Sequence, residues 1–465
     1  MIRKFISRVF SKLPGRGAGP DVIPRARHGI RREAISSGSR RVVETLKDNG
    51  YEAFVVGGAV RDLLAGLKPK DFDVATDATP EEVRRCFRRA RIIGRRFQIV
   101  HVMMGPETIE VTTFRGHHGQ QDDHRAQIDA QGRVLRDNVF GSQKEDAARR
   151  DFTVNALYYD AVAETVTDYH QGLADLEKKT LRMIGHPATR YREDPVRMLR
   201  AVRLAAKLDF SIDEATRSPI GELADLIENV PPSRLFDEML KLLTSGHAQK
   251  CLRQLRAEGL HKGVLPLLDV IVEQPLGKRF VALALENTDR RVREGRSISP
   301  GFLFATLLWN EVLAQWEAQK ANGERPIPAL YLAMDDVLDV QAEKLAITRR
   351  VAGDIKEIWA LQPRFELRSG KRPHGLLEHP RFKAGLDFLL MRAEAGEVDA
   401  ALGRWWSDFL NADGPARAAM LLPRDDASPR KRRRRRKRAP GAPDAPPPDG
   451  DESAPPVMES SAECP

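Results

Sequence analysis

Two periods of apolar alternation run along this chain, and the change from one to the other divides it. Between residues 53 and 180, short runs alternate with a period near two. They predict strands over 53–56, 72–75, 97–103, 108–114, 156–159 and 165–168, with helical runs at 60–64 and 80–90 between them. A helix over 34–47 precedes this stretch, which reads as a compact α/β unit. After Asp194 strand signals nearly vanish, and Leu/Ala/Arg-rich helical spacing continues to about residue 410. Residues 181–410 are therefore predicted to be all-helical, in two subdomains with a break near 323–328. At the start, Ile2, Phe5, Ile6, Val9, Phe10 and Leu13 share one helical face, with Arg3, Lys4, Arg8 and Lys12 elsewhere. That is a short basic amphipathic helix, suited to a membrane surface or an acidic partner, or equally to docking on its own protein. A Gly/Pro-rich stretch, 14–24, is expected to detach it. From residue 428 the chain is too poor in apolar side chains to fold. No internal repeat is visible. The expected organisation is an N-terminal extension over 1–33, a head over 34–180, a helical neck and body over 181–325, a C-terminal helical domain over 326–425 and a tail over 426–465.

Charge sharpens that partition. At 465 residues and 41% hydrophobic content, the chain is long enough for more than one core. Its formal charge of +10 is unevenly spread. Residues 1–50 carry twelve Lys/Arg against four Asp/Glu, the run 430–438 adds +9, and residues 439–465 contribute −6. The remainder, 51–429, stands at −1, so the folded body is near neutral and the basic character sits in the extensions. Cys86, Cys251 and Cys464 are far apart and match no metal or disulfide spacing. A reducing compartment is expected, with the cytoplasm as default, since no run approaches the ~18 apolar residues of a membrane span and no secretory signal stands at the start.

The chemistry concentrates in four clusters. Gly57-Gly58-Ala59-Val60-Arg61-Asp62 follows the apolar run 54–56 and opens a short helix. Glycines let backbone N–H groups approach a triphosphate, and Arg61 can grip phosphate bidentately, although a bare Gly-Gly after a strand is more often just a tight turn. Asp71-Phe72-Asp73 comes next. On an extended segment the two acids share a face, because strand side chains alternate. Glu110, on a second alternating run, would complete a cage of oxygen ligands for a hard divalent cation; the plain alternative is a polar strand face. In the third cluster, Arg149-Arg150-Asp151-Phe152-Thr153-Val154-Asn155, apolar alternation at 152, 154 and 156 places Asp151 at the start of a buried strand. There it can meet a ribose hydroxyl or join the cage, while Arg150 meets phosphate; a surface ion pair is the commoner meaning of such a run. The fourth cluster spans 192–203, with Asp194 as N-cap and Pro195 at the first helical position. Asp194, Arg197 and Arg200 are then surface neighbours able to read a base edge, or simply a cap followed by helix-surface arginines.

In this order the four clusters resemble the class II nucleotidyltransferase superfamily, which holds bacterial poly(A) polymerases and tRNA CCA-adding enzymes. The likeness covers about residues 51–208. Ile92-Ile93-Gly94-Arg95-Arg96-Phe97-Gln98-Ile99-Val100-His101-Val102, Phe114-Arg115-Gly116-His117-His118, the N-terminal extension and the Arg-rich tail are similar to the bacterial poly(A) polymerase I family. Gln98 departs from the basic residue usual there. The resemblance implies an α/β plus all-α architecture: a mixed-sheet, polymerase-beta-like nucleotidyltransferase head followed by helical neck and body. It implies Mg²⁺-dependent transfer of AMP from ATP to an RNA 3′-hydroxyl, with two metal ions and release of pyrophosphate. By this likeness Asp71 and Asp73 are the metal pair, and either Glu110 or Asp151 is the third acid. Gly57, Gly58 and Arg61 contact triphosphate, Arg150 and Asp151 contact phosphate and ribose with Asn155 beside them, and Asp194 and Arg197 read the base with Arg200 nearby. Arg430, Lys431, Arg432, Arg433, Arg434, Arg435, Arg436, Lys437 and Arg438 read as an RNA-backbone clamp. The expected partners are RNA 3′ ends, RNA-decay machinery and, through the N-terminal helix, a membrane surface; a monomer is expected. The rivals are a CCA-adding enzyme sharing every catalytic residue and a non-catalytic RNA-binding scaffold.

Overall fold

The computed structural model describes residues 19–94, 98–116, 126–128, 134–137, 139–260 and 278–423. The amphipathic segment 2–13, Arg95, Arg96, Phe97, His117, His118 and the run 430–438 lie outside the described residues. Contacts divide the chain into two units, Met1–Leu421 and Leu422–Pro465, and everything below concerns the first.

An eight-stranded mixed sheet forms the head. Its strands are β1 (Asp21–Pro24), β2 (Ala53–Val56), β3 (Asp73–Thr76), β4 (Ala90–Ile93), β5 (Ile99–Met104), β6 (Glu107–Thr113), β7 (Leu157–Asp160) and β8 (Thr165–Asp168). Their spatial order is β1-β8-β7-β2-β3-β6-β5-β4. All neighbours are antiparallel except β3 and β6, which run parallel with Val74 opposite Val111. That single parallel pair places the lead-in to β3 beside the middle of β6. Helix α1 (Ser37–Asp48) starts where the Ser36 side chain accepts from the Ser39 N–H, and it buries Val42, Val43 and Leu46. Helix α2 (Gly58–Leu64) follows β2 directly. Helix α3 (Pro80–Cys86) opens on a capping box between Thr79 and Glu82, and α4 (Gln143–Arg149) on another between Ser142 and Glu145.

Helices then take over, except that 180–181 pairs in parallel with 211–212, against the all-helical expectation. The first are α5 (Pro187–Glu193), α6 (Val196–Leu208), α7 (Pro232–Leu243) and α8 (Ala248–Ala257). After them come α9 (Lys278–Arg293), α10 (Pro300–Ala321), α11 (Pro326–Lys344), α12 (Arg349–Phe365), α13 (Phe382–Ala395) and α14 (Ala400–Asn411). One continuous apolar core runs from Ile23 through the sheet and the helices to Met391. A separate core around Phe365, Leu386, Trp406 and Phe409 holds the last helices together. Among the described residues no helix is long and apolar enough to cross a membrane.

The strands and helices expected from the alternation are present, most with ends displaced by one to three residues. Four expectations need correcting. Residues 21–24 do not belong to a detached extension, because β1 pairs with β8 along its whole length and buries Ile23. Strand β4 was not expected; it is a short edge strand with half its side chains in solvent. Phe152, Val154 and Ala156 are buried, but 153–155 is a 3-10 turn and the strand begins only at Leu157. The break near 323–328 is a tight turn between α10 and α11, which pack on each other inside the main core rather than in separate bodies.

Candidate active site

Strand β2 is almost wholly buried and ends at Gly57, whose φ of 68° and ψ of −128° suit glycine alone. A Cβ there would stand 3.2 Å from an Arg150 guanidinium nitrogen. The turn and Arg150 are thus packed face to face. Arg150 is held in that place from behind. Its Nε donates to the Tyr158 hydroxyl at 3.0 Å, its NH2 to Asp146 at 3.0 Å, and its guanidinium lies 5.1 Å from the centre of the Tyr158 ring. Burial works against its charge, but Tyr158 and Asp146 more than offset this, so its pKa rises above the usual arginine value. Neither Asp146 nor Tyr158 was singled out in the sequence; the i, i+4 spacing of Asp146 and Arg150 was the one available signal.

Asp73 opens β3, and the register Val74 to Val111 sets it beside Glu110 on β6. Its carboxyl is pushed up to about 6, first by burial and then by the negative charge of Glu110; Arg150 partly opposes the shift and Asp71 adds to it. Asp71, Asp73, Glu110 and Arg150 therefore share one neighbourhood. Asp71 is exposed and lies on the lead-in rather than on the strand itself. Among the described residues no three Asp, Glu, His or Cys side chains are close enough to hold one ion by themselves, so the expected closed cage is instead an open edge of acids. His101, opposite Glu110 on β5, brings Nε2 to 3.5 Å from the Glu110 carboxylate.

Asp151 is placed elsewhere. Its Oδ1 accepts from the Phe152 N–H at 2.8 Å and from the Asn155 amide at 2.9 Å, while Oδ2 lies 2.6 Å from NH2 of Arg200. Burial raises the Asp151 carboxyl, but Arg200 and these hydrogen bonds outweigh it and hold the pKa below the ordinary value. The acids that shift Asp73 are Glu110 and Asp71, so the two candidates for third acid occupy different surroundings. Arg61, expected to grip phosphate, is only 5% exposed. Its Nε donates to Asp62 at 2.8 Å and its NH1 to the Asn155 amide oxygen at 2.6 Å. As it stands, the side chain braces the turn from inside.

Helix α6 supplies the far wall. Asp194 is not its N-cap: it ends α5 in extended conformation, Pro195 precedes the first helical residue, and the Asp194 carboxylate is taken by Arg234 of α7 at 3.1 Å. Asp194, Arg197 and Arg200 are not solvent-facing neighbours either. Arg200 meets Asp151, and NH1 of Arg197 donates to the Arg190 carbonyl at 2.7 Å and to Glu193 at 3.1 Å. Buried polar atoms without a hydrogen-bond partner gather here: Asp194 Oδ1, Arg190 Nε, Arg200 Nε, Arg203 Nε and Glu238 Oε2. Arg234 and Glu238, one turn apart on α7, were missed because nothing local in the sequence connects them to the head.

Acid-bearing strands beside a glycine turn, with arginines of α6 paired to the head, make the layout of a nucleotidyltransferase. A solved structure shares it: the CCA-adding enzyme of Bacillus stearothermophilus in complex with CTP, 25% identical, aligns over 82% of this chain and 80% of that one with a TM-score of 0.50. Family profiles narrow the class. Residues 53–182 match the poly A polymerase head domain, 209–271 a probable RNA and SrmB-binding site of polymerase A, and 322–439 the polymerase A arginine-rich C-terminus. The poly(A) polymerase I of Salmonella typhimurium is 47% identical over 442 residues, 92% of this chain and 95% of the relative. The CCA-adding enzyme of Enterococcus faecalis matches at 38% over 208 residues, 45% of this chain. The chain belongs to the bacterial poly(A) polymerase I family.

Proposed function

We propose that this chain elongates RNA 3′ ends without a template, transferring AMP from ATP to the terminal 3′-hydroxyl with release of pyrophosphate. The observation that carries the reading is the position of Asp73: a half-buried carboxylate raised to about 6 first by loss of solvent and then by Glu110 and Asp71, with the Arg150 guanidinium nearby and packed against the Gly57 turn. Carboxylates that repel one another next to a fixed cation suit a site built for a divalent ion and a polyphosphate.

In this reading Asp71 and Asp73 would hold Mg²⁺ together with substrate oxygens, with Glu110 adding negative charge beside them. The ion, when bound, supplies positive charge to the reacting phosphate and lowers the pKa of the attacking hydroxyl. The rest falls to the chain. The Gly57-Gly58 turn gives backbone N–H groups to the triphosphate, and Arg150, fixed by Asp146 and Tyr158, carries charge to the same side. Asp194 Oδ1 is buried without a partner while Arg234 holds Oδ2, which leaves an acceptor that this reading assigns to the exocyclic amine of adenine. Arg197 stands beside it to donate to a ring nitrogen. Asp151, with Asn155 and Arg200 bonded to it, is the group this reading assigns to the ribose. RNA is gripped through residues 209–271 and the basic run 430–438.

The test is direct. Purified protein with Mg²⁺ and an unstructured oligoribonucleotide should give a ladder on a sizing gel with labelled ATP and little extension with labelled CTP. Efficient CTP use on a tRNA lacking its 3′ end would favour the CCA-adding rival, and no pyrophosphate release from ATP would favour a scaffold.

A further inference from the structure

Asp62, which has no role yet in the Gly-Gly motif, belongs to a largely buried circuit. Starting on α6, Lys207 Nζ donates to Asp62 Oδ2 at 2.7 Å. Asp62 Oδ1 accepts from Arg61 Nε at 2.8 Å, and Arg61 NH1 donates to Asn155 Oδ1 at 2.6 Å. The Asn155 amide donates to Asp151 Oδ1 at 2.9 Å, and Asp151 Oδ2 meets Arg200 NH2 at 2.6 Å, back on α6. Arg61, Asp62, Asp151 and Asn155 are each under 9% exposed. The chain of contacts leaves one helix, crosses two elements of the head and returns to the same helix.

The two points of attachment, Arg200 and Lys207, are seven residues apart. On an α-helix that is two turns, about 10 Å, on nearly one face. The helix is already packed in the apolar core, and two polar attachments spaced along its axis fix its tilt and its travel against the head more closely than one would. At one end of α6 stand Asp194 and Arg197; at the head end of the circuit, Asp62 sits in α2, whose first residue is Gly58. We infer that the Lys207–Asp62 pair is a positioning contact that sets the distance between the base end and the triphosphate end of the nucleotide site. Lys207 and Asp62 are not proposed to touch substrate. This rests on the nucleotide reading above.

Because the contact sets a distance, it matters only for a ligand that spans both ends. Adenosine occupies one end and tripolyphosphate the other, while ATP needs both in register. Lys207→Met is a mild probe, since Asp62 keeps its pairing with Arg61 and no carboxylate is left uncompensated. In Lys207→Met, KM for ATP should rise about tenfold while the inhibition constants of adenosine and of tripolyphosphate stay at wild-type values. Lys207→Arg, which restores a donor to Asp62, should recover most of the ATP effect. Unchanged KM for ATP would overturn the inference, and so would parallel weakening of all three ligands, which marks a general loosening of the fold. Should Lys207→Met fail to fold, Lys207→Gln takes the same three measurements with the same outcomes. A wild-type protein that transfers no AMP would instead sink the nucleotide reading itself, so the two failures are separable.

Discussion

Asp73 shows what one residue can be asked to do. Its carboxyl titrates near 6 because burial and Glu110 both disfavour the charge. The sign follows from linkage: an acid whose pKa is raised by folding costs stability as pH climbs from its unfolded value to about 6, and the cost stays in full above that. Asp73→Asn should therefore raise the thermal midpoint of the metal-free protein at pH 8 and not at pH 4, while abolishing transfer. A midpoint at pH 8 equal to or below wild type would contradict the repulsion. Glu110→Gln should move the Asp73 titration down toward the ordinary carboxylate range, read by NMR of the side-chain carboxyl. Alanine at Asp71 or Asp73 should lower the rate by at least ~10³-fold, about 4 kcal/mol of transition-state stabilisation, in single-turnover AMP transfer. These acids were legible because their spacing follows the glycine turn within about ten residues and alternates with the apolar Phe72 and Val74. Glu110 and Arg150, which tune Asp73, were legible too; Asp146 and Tyr158, which hold Arg150, were not.

At the scale of elements, the β2–α2 turn is the most constrained piece. Gly57→Ala meets two obstacles: a left-handed φ and a Cβ against the Arg150 guanidinium. A loss of about 1–3 kcal/mol in denaturant unfolding is expected, together with a raised KM for ATP, because Arg150 must move to make room. Normal ATP affinity in that variant would separate the turn from phosphate binding. The segment 152–156 teaches the opposite lesson. Apolar residues at every second position predict a strand, yet the Asn155 N–H donates to the Phe152 carbonyl and the Ala156 N–H to the Thr153 carbonyl, closing a 3-10 turn that Asp151 braces through the Phe152 N–H and the Asn155 side-chain amide. Burial was read correctly and conformation was not. Asp194 went astray for a related reason: Asp before Pro is a strong N-cap signal, but a partner forty residues away, Arg234, claims its carboxylate.

For the molecule as a whole, the near-neutral body and the separate basic run 430–438 predict divided labour. If the run neutralises about five phosphates, RNA affinity should fall with salt at a log–log slope near −3.5, roughly 10²-fold between about 50 and 200 mM. Removing 428–465 should flatten that slope in a filter-binding titration and leave the rate at saturating RNA intact; an unchanged slope would assign RNA binding to the folded body. Within the body, α6 is shared property. It belongs to the helical region by sequence and to the active site by its contacts with Asp62 and Asp151.

By itself the sequence determined the partition into a sheet-based head and a helical remainder, the spacing of the acid pair at 71 and 73, and the glycine turn. Each is a local pattern, carried by residues within a few positions of one another, and periodicity or spacing is enough to expose it. Only the tertiary structure decided that β1 joins the sheet, that Glu110 rather than Asp151 stands beside Asp73, and that Arg61 faces inward. It alone brought Arg234 to Asp194 and Lys207 to Asp62. Those outcomes depend on strand register and on contacts between residues 40 to 145 positions apart, and a long-range pairing leaves no trace in the spacing of near neighbours.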